Sequence, residues 1–285
     1  MPSSNVVVII GCGGMGLPLA RRLGAGRQLF LADFSNDNLT AAREVLLDEG
    51  YSVETRTIDV SDYASVSEFA QAASSAGYIE TIVHTAGVSP TGQSSRTIYS
   101  INLLGTANVI DALLPVAQAG TSLICISSMA GHLCPPIQPD LERHMATAPR
   151  EQLLSHQDLG VDDSGPSGAP KAYAYSKRGN LLRVQAAAAA WGRRGARVNS
   201  VSPGVISTEQ GRREIAGPAA KYVASSPAAR VGTPQDIVNA VAFLADRQSS
   251  FITGTDILVD GGVTSSIKWR GTVDSKDHFT DFQRA

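Results

Sequence analysis

The sequence predicts an α/β protein: one doubly wound parallel sheet of seven strands with helices on both faces. Three observations predict it. Short β-branched runs alternate with longer helical patterns along most of the chain, the signature of repeated βαβ units. The runs are continuously apolar rather than alternating, as strands buried on both faces must be. A glycine-rich turn follows the first run and opens a helix.

Taken in order, the first strand is predicted over Val6–Ile10. Gly11-Cys12-Gly13-Gly14-Met15-Gly16 ends it and leads into a helix over Gly16–Leu23. Gly11-x-Gly13-x-x-Gly16 between a strand and a helix is the context a dinucleotide-binding turn requires. Glycine lets the backbone approach a pyrophosphate, and the helix N-terminus offers unpaired N–H donors. The second strand, Gln28–Ala32, runs into Asp33, 22 residues after Gly11. A carboxylate there accepts from both adenosine ribose hydroxyls and repels a 2′-phosphate, and Phe34 beside it brings no cation. This selects NAD rather than NADP. A helix over Asn38–Asp48 leads to the third strand, Val53–Ile58, which ends in Asp59-Val60. Asp59 can accept from an adenine amino group with Val60 against the ring; the alternative is a helix N-cap, for which Ser61 and Asp62 compete.

After a helix over Ala64–Ala73 and a strand over Thr81–Thr85 comes Ala86-Gly87, then a helix over Ile98–Leu114 containing Asn102. The fifth strand, Ser122–Ser127, ends in the pair Ser127-Ser128. A helix over Ala172–Trp191 carries Tyr173 and Lys177, four apart and so on one face. The ammonium favours the phenolate, and a nearby serine can hold a carbonyl or alcohol oxygen; together they suit proton transfer coupled to hydride transfer. The sixth strand, Arg197–Val201, precedes Pro203-Gly204-Val205 and Thr208. A helix over Pro234–Leu244 and a strand over Asp256–Val259 complete the alternation.

Two stretches break the pattern. Residues 131–171 carry six prolines and several acids between the fifth strand and the Tyr173 helix; a long irregular segment in a compact domain is usually functional or disordered. The second is a polar tail over 263–285. One domain over 1–262 accommodates the rest.

The bulk properties narrow the function. A net charge of −2 provides no field for nucleic acid or an anionic membrane. No stretch approaches the ~20 apolar residues of a membrane span, and the N-terminus lacks a basic segment before Val6–Ile10. Cys12, Cys125 and Cys134 form no disulfide framework or metal spacing, which suits a reducing cytoplasm. His132, His144 and His156 recur every twelve residues, a spacing that fits no metal motif, so no metal is expected.

In this order, Gly11/Gly14/Gly16, Asp33, Asp59-Val60, Ala86-Gly87, Asn102, Ser128, Tyr173/Lys177, Asn199, Pro203-Gly204, Thr208, Arg230-Val-Gly-Thr-Pro234, Gly254 and Asp260-Gly-Gly262 resemble the short-chain dehydrogenase/reductase family in its compact single-domain branch. The resemblance spans Val6 to Gly262 and implies a Rossmann-type sheet and NAD(P)-dependent interconversion of alcohols and ketones. It implies that Tyr173 is the general acid/base, that Lys177 lowers its pKa and binds the nicotinamide ribose, and that Ser128 rather than Ser127 holds the substrate oxygen. It also implies that Asn102 interrupts its helix and holds a water that relays protons to Lys177. Val205 and Thr208 would orient the carboxamide. A homotetramer follows from helices around Asn102 and Tyr173 that normally bundle with a neighbour, Ala186–Ala190 offering a small-residue face.

Three departures stand out. The glycine turn is one residue short. His84-Thr85-Ala86-Gly87 replaces Asn-Asn-Ala-Gly, so Thr85 must take over an amide that ties strands together. The Ser128–Tyr173 gap is long, and with Ala188-Ala-Ala-Trp191-Gly192 it resembles the bacterial 3α-hydroxysteroid dehydrogenase/carbonyl reductase type, implying a hydrophobic substrate. Leu133, Ile137, Leu141, Met145, Leu153 and Leu154 would then form a mobile lid over it. Two rival readings are a catalytically silent dinucleotide-binding regulator, which need not keep Asn102, Ser128, Tyr173 and Lys177 together, and an epimerase or dehydratase, which normally adds a separate C-terminal substrate domain.

Overall fold

The computed structural model describes residues 5–215 and 219–269. In chain order its first half runs β1 (Asn5–Ile10), α1 (Gly16–Gly24), β2 (Gln28–Asp33), α2 (Asn36–Asp48), β3 (Ser52–Thr57), α3 (Tyr63–Ala76) and β4 (Tyr78–His84). A continuous helix over Ser95–Val116 follows, made of α4 (Ser95–Ile98), a π-helical turn (Tyr99–Leu104), α5 (Gly105–Leu113) and a final 3₁₀ turn. The second half runs β5 (Ser122–Ile126), α6 (Met129–His132), α7 (Pro139–Thr147), α8 (Gly168–Arg193), β6 (Arg197–Pro203), α9 (Glu209–Ile215), α10 (Ala220–Ala224), α11 (Pro234–Ala245), β7 (Asp256–Val259) and α12 (Val263–Trp269).

All seven strands lie parallel in the order β3-β2-β1-β4-β5-β6-β7. The order reverses between β1 and β4, and an open α/β sheet leaves a crevice at the carboxyl ends of its strands there. The glycine turn and Ala86-Gly87 leave the sheet on either side of that point. Along β1, Val6, Val8 and Ile10 join an apolar layer with Phe69, Leu113 and Trp191, while Val7 and Ile9 join one with Leu19, Leu46 and Ile237. Burial on both faces is why the central strands read as unbroken apolar runs. The edge strand β3 exposes Glu54 and Arg56, and only Val53 of its six residues is buried.

The observed bounds differ from the predicted ones where a cap or a proline decides. The Asp62 carboxylate accepts from the Ala64 N–H and starts α3 at Tyr63. The Ser94 hydroxyl accepts from the Thr97 N–H and starts the long helix at Ser95. α8 begins at Gly168, ahead of Pro170, because proline is tolerated in a first turn whose N–H groups have no intrahelical partner. Ser95–Val116 is long and apolar enough to cross a bilayer by length and composition, with mean hydropathy 1.2, contrary to the expectation from the sequence; 67% of that window is buried inside the fold.

The 131–171 segment bears on two expectations. Leu141, Met145, Leu153 and Leu159 are buried in a third apolar cluster with Ile98, Tyr99, Leu103 and Ala172. The Tyr99 hydroxyl donates to the Leu159 carbonyl at 2.8 Å, and the Arg183 guanidinium donates to the Ala146 and Ala148 carbonyls. Arg150 lies 3.5 Å above the Tyr63 ring. The apolar residues assigned to a mobile lid are therefore largely spent on the protein's own helices, and the segment is a docked cap. It also covers part of the helix surface around Asn102 and Tyr173 through which a tetramer was expected to bundle; Ala186 and Ala189 remain exposed. The expected tail over 263–285 begins as α12, and its remainder, 270–285, lies outside the described residues.

Met145→Ala should therefore lower global stability by about 2–5 kcal/mol, the cost of emptying a packed core position. A denaturation midpoint equal to that of the parent chain would show that the cap is not part of the core.

Candidate active site

The glycine turn is built by steric need. Gly11 has φ +100°, and a Cβ on it would lie 2.5 Å from Thr85 Oγ1. A Cβ on Gly16 would run into the Gly11 carbonyl oxygen, so the helix can start this close to β1 only with glycine. Space beside Gly13 is open, and Met15 caps α1 without a side-chain hydrogen bond. A backbone cradle before a helix whose first N–H groups carry no side-chain cap fits a dinucleotide pyrophosphate. As the sequence required of it, the Thr85 hydroxyl donates to the Gly11 carbonyl at 2.8 Å, tying β4 to the turn.

Asp33 closes β2 against this turn. Its carboxylate accepts from the Cys12 N–H at 2.6 Å and the Ser35 N–H at 2.8 Å. Phe34 beside it is 75% exposed. By strand register Arg56 stands opposite Ala32, a cation on β3 that sequence spacing did not reveal. Asp59 accepts from the Ser61 N–H and hydroxyl at 2.9 and 2.7 Å; Asp62, not Asp59, is the N-cap of α3. Val60 corrects an expectation. Its side chain is buried against Gly105, where a Cβ would lie 2.8 Å from Val60 Cγ2, so toward a ligand it offers backbone rather than a packing face.

The side chains expected to carry the chemistry gather near the carboxyl ends of β4 and β5. Lys177 is 6% exposed, and its ammonium donates to the Ile126 carbonyl at 3.2 Å. It lies 5.8 Å from the centroid of the Tyr173 ring, and Tyr173 itself is half-buried. Burial pushes the Lys177 ammonium down to about 8. A Cβ on Gly87 would lie 3.0 Å from Asn102 Oδ1 and 3.6 Å from Lys177 Nζ, so Asn102 and Lys177 flank the same glycine. Asn102 lies in the π turn, the expected break in its helix. Its side-chain amide is held by Val88, accepting from the N–H at 2.8 Å and donating to the carbonyl at 2.9 Å. What it can offer a relay is its main-chain carbonyl.

The two serines separate cleanly. The buried Ser127 hydroxyl donates to the Lys177 carbonyl at 2.8 Å and braces α8. Ser128 is half-exposed and caps α6, accepting from the Ala130 N–H at 3.2 Å. Gly131 permits this packing: a Cβ there would meet the Lys177 backbone at 2.8 Å, a requirement the sequence reading missed. Asn199 is structural, donating to Ile252 O and accepting from the Thr255 N–H.

Past β6, Pro203-Gly204-Val205 is stapled to the Arg230–Pro234 stretch. The Gly232 N–H donates to Val205 O at 2.9 Å, and Ser207 N–H donates to Gly232 O at 2.8 Å. The Thr208 side chain closes over Gly14, within 2.7 Å of where a Cβ would sit. A cavity of about 230 Å³ lies behind this loop, between Val205, Tyr222 and Val259, and none of Ser128, Tyr173 and Lys177 lines it. In the cap, His144 packs edge-on to His156, which pairs with Asp140.

Residues 5–139 match the family model described as short chain dehydrogenase, and 156–264 match one described as Enoyl-(Acyl carrier protein) reductase. The chain is 37% identical over 268 residues to short-chain dehydrogenase/reductase bsc3 of Alternaria brassicicola, covering 91% of this chain and 96% of that one. It is 29% identical over 195 residues to a 3-alpha-hydroxysteroid dehydrogenase/carbonyl reductase of Comamonas testosteroni, covering 66% and 73%. Its fold matches a short-chain type dehydrogenase/reductase from Mycobacterium ulcerans with TM-score 0.73 at 24% identity, covering 93% of this chain and 91% of that one.

The buried lysine has a consequence for stability. Its folded value of about 8 lies below the ordinary 10.5, so between those values the unfolded chain binds more protons. Stability then rises with pH across that window, and the penalty is fully present below it. Lys177→Met should stabilise the fold at pH 7, by on the order of 3 kcal/mol. The gain should shrink toward pH 10.5 in thermal melts run across pH. A destabilised Met variant at neutral pH would show that the ammonium is not a burden.

Proposed function

The chain belongs to the short-chain dehydrogenase/reductase family, and from that premise we propose that it interconverts a secondary alcohol and a ketone with NAD. The observation that carries this is Lys177: a buried ammonium one helical turn past Tyr173, with the Ile126 carbonyl as partner. A fold that keeps such a charge next to a phenol gains a proton-transfer group for the cost. NAD, when bound, accepts or gives the hydride. Tyr173 takes the proton from the alcohol or returns it to the ketone oxygen. Lys177 favours the phenolate electrostatically, and Ser128 donates a hydrogen bond to the oxygen on which charge develops. The Asn102 carbonyl holds the water through which Lys177 exchanges protons with solvent.

Gly11, Gly13, Gly14, Met15 and Gly16 would hold the pyrophosphate. Asp33, with Phe34 beside it, takes the adenosine ribose. Asp59 and the Val60 backbone take the adenine, and Ala86 and Gly87 lie against the adenosine side. Val205 and Thr208, following Pro203-Gly204, hold the carboxamide, and Tyr173 and Lys177 the second ribose. NAD is preferred because Asp33 is anchored in the turn itself by the Cys12 N–H, whereas Arg56 stands a strand away. A hydrophobic carbonyl substrate is supported by the likeness to the steroid dehydrogenase/carbonyl reductase and by half-exposed Val88 and Leu133, which follow Gly87 and Ser128 in the chain. Free thiols at Cys12, Cys125 and Cys134 suit the cytoplasm.

Titration calorimetry should show NADH binding at least about tenfold tighter than NADPH, as an unpaired carboxylate facing a 2′-phosphate requires; equal affinities would remove the NAD assignment. With an alcohol panel and NAD, Tyr173→Phe should lower turnover by ~10²–10⁴, with only a small change in NADH affinity because Lys177 still holds the second ribose. Near-normal turnover in that variant would refute Tyr173 as the acid/base.

A further inference from the structure

We infer that His84 is a positioning residue for the proton-handling turn: a neutral imidazole, protonated at Nε2 only, that holds the Asn102 main-chain carbonyl in place through Thr106. This deepens the function proposed above and rests on it.

The tautomer follows from hydrogen-bond polarity. The Thr106 hydroxyl lies 2.8 Å from the Asn102 carbonyl oxygen and 3.2 Å from His84 Nε2. A hydroxyl has one proton, and a carbonyl only accepts. The Thr106 proton therefore goes to Asn102, and the Thr106 oxygen accepts from His84 Nε2–H. A neutral ring so fixed carries a bare lone pair on Nδ1, and Nδ1 has no hydrogen-bond partner among the described residues.

The ring stays neutral for two reasons. His84 is 1% exposed at the end of β4, and the charge that bears on it is Lys177. Burial first, and the Lys177 ammonium second, push it down to about 3. Its register neighbour on β5 is Cys125, whose buried thiol is pushed up to about 12 and so brings no charge.

The chain of contacts ends at the site. The Asn102 side chain is committed to Val88 at both ends, so the carbonyl in the π turn is the group left to serve the relay. Asn102 and Lys177 meet across Gly87, and a shift of the π turn would move the carbonyl relative to the ammonium. His84 fixes the rotamer of the hydroxyl that pins that carbonyl. The family pattern has asparagine at this position, a shorter side chain; the imidazole reaches Thr106 from the sheet.

The test uses the full-length protein. In ¹⁵N-histidine-labelled protein, the His84 resonances, identified by their loss in His84→Gln, should report a neutral Nε2–H ring that does not titrate between about pH 5.5 and 9. A ring protonated at Nδ1, or one that titrates in that range, overturns the inference, whether or not any substrate is known. In kinetics, His84→Leu and Thr106→Val should each lower kcat about tenfold, with KM and NADH affinity changed by less than about twofold. The double variant should be no slower than the slower single one. His84→Gln, whose side-chain amide can donate from the Nε2 position, should recover most of the loss. Additive losses, no recovery by Gln, or variants that lose only thermal stability would overturn it. If the parent protein turns over no alcohol or ketone with NAD, the proposed function fails, while the tautomer result still decides the hydrogen-bond chain.

Discussion

The site depends on burying one positive charge. Lys177 sits where β5, α6 and α8 converge, with the Ile126 carbonyl as its hydrogen-bond partner and almost no water access. A lysine in that position is held only if its surroundings cannot relax around it. Those surroundings are tight. Gly131 lets α6 lie on the α8 backbone, Ser127 ties β5 to the Lys177 carbonyl, and Gly87 leaves room for both the ammonium and the Asn102 amide. Each device sacrifices a side chain or a hydroxyl to hold the backbone close to the charge.

The cap over 131–171 serves the same end. It packs on the helix Ser95–Val116 and on α8 at once, and these are the elements that present Asn102, Tyr173 and Lys177. A π turn in the middle of a long helix leaves hydrogen bonds irregular, and this one is pinned from three sides: Val88 on the Asn102 side chain, Thr106 on its carbonyl, and the Leu159 carbonyl on the neighbouring Tyr99 hydroxyl. The insertion thus turns two helices and an irregular turn into one rigid block.

The fold was legible because it rests on period and punctuation. Apolar runs marked the central strands, β-branched residues and the helix–strand alternation marked the edge strand β3, and the glycine spacing could be placed because backbone geometry leaves few residues that fit. The role of Ser127 as a brace was not legible, since two adjacent serines look alike until burial separates them. The packing of Val60 and of the 131–171 apolar residues was not legible for a shared reason: an apolar residue near a ligand motif has the same letter whether it faces the ligand or the core. Asp33 was placed by counting residues along the chain, but strand register sets Arg56 opposite Ala32, the residue before it, which such counting does not see. His84 was noticed as a departure, yet its partner Thr106 lies on another element, 22 residues away.

The two halves of the site are built to different standards. The glycine turn and Asp33 sit at the ends of β1 and β2, and Tyr173 and Lys177 lie on the longest helix, with the buried Lys177 ammonium bonded to the Ile126 carbonyl. The side beyond β6 is held by a two-bond staple to Gly232, by Gly204 N–H on Val259 O and by the buried Ile206, and is followed by the short helices α9 and α10, with no residue of α10 buried. Local stability follows burial and contact density, so the loop carrying Thr208 is the part of the site least constrained by the core. A hydride acceptor must be held in one orientation whatever the alcohol, whereas substrates differ in shape. Dense packing around Lys177 and sparser packing beyond Pro203 therefore give the proposed site a firmly held chemical centre and a less constrained wall, the side on which the proposed function leaves room for substrates of different shape.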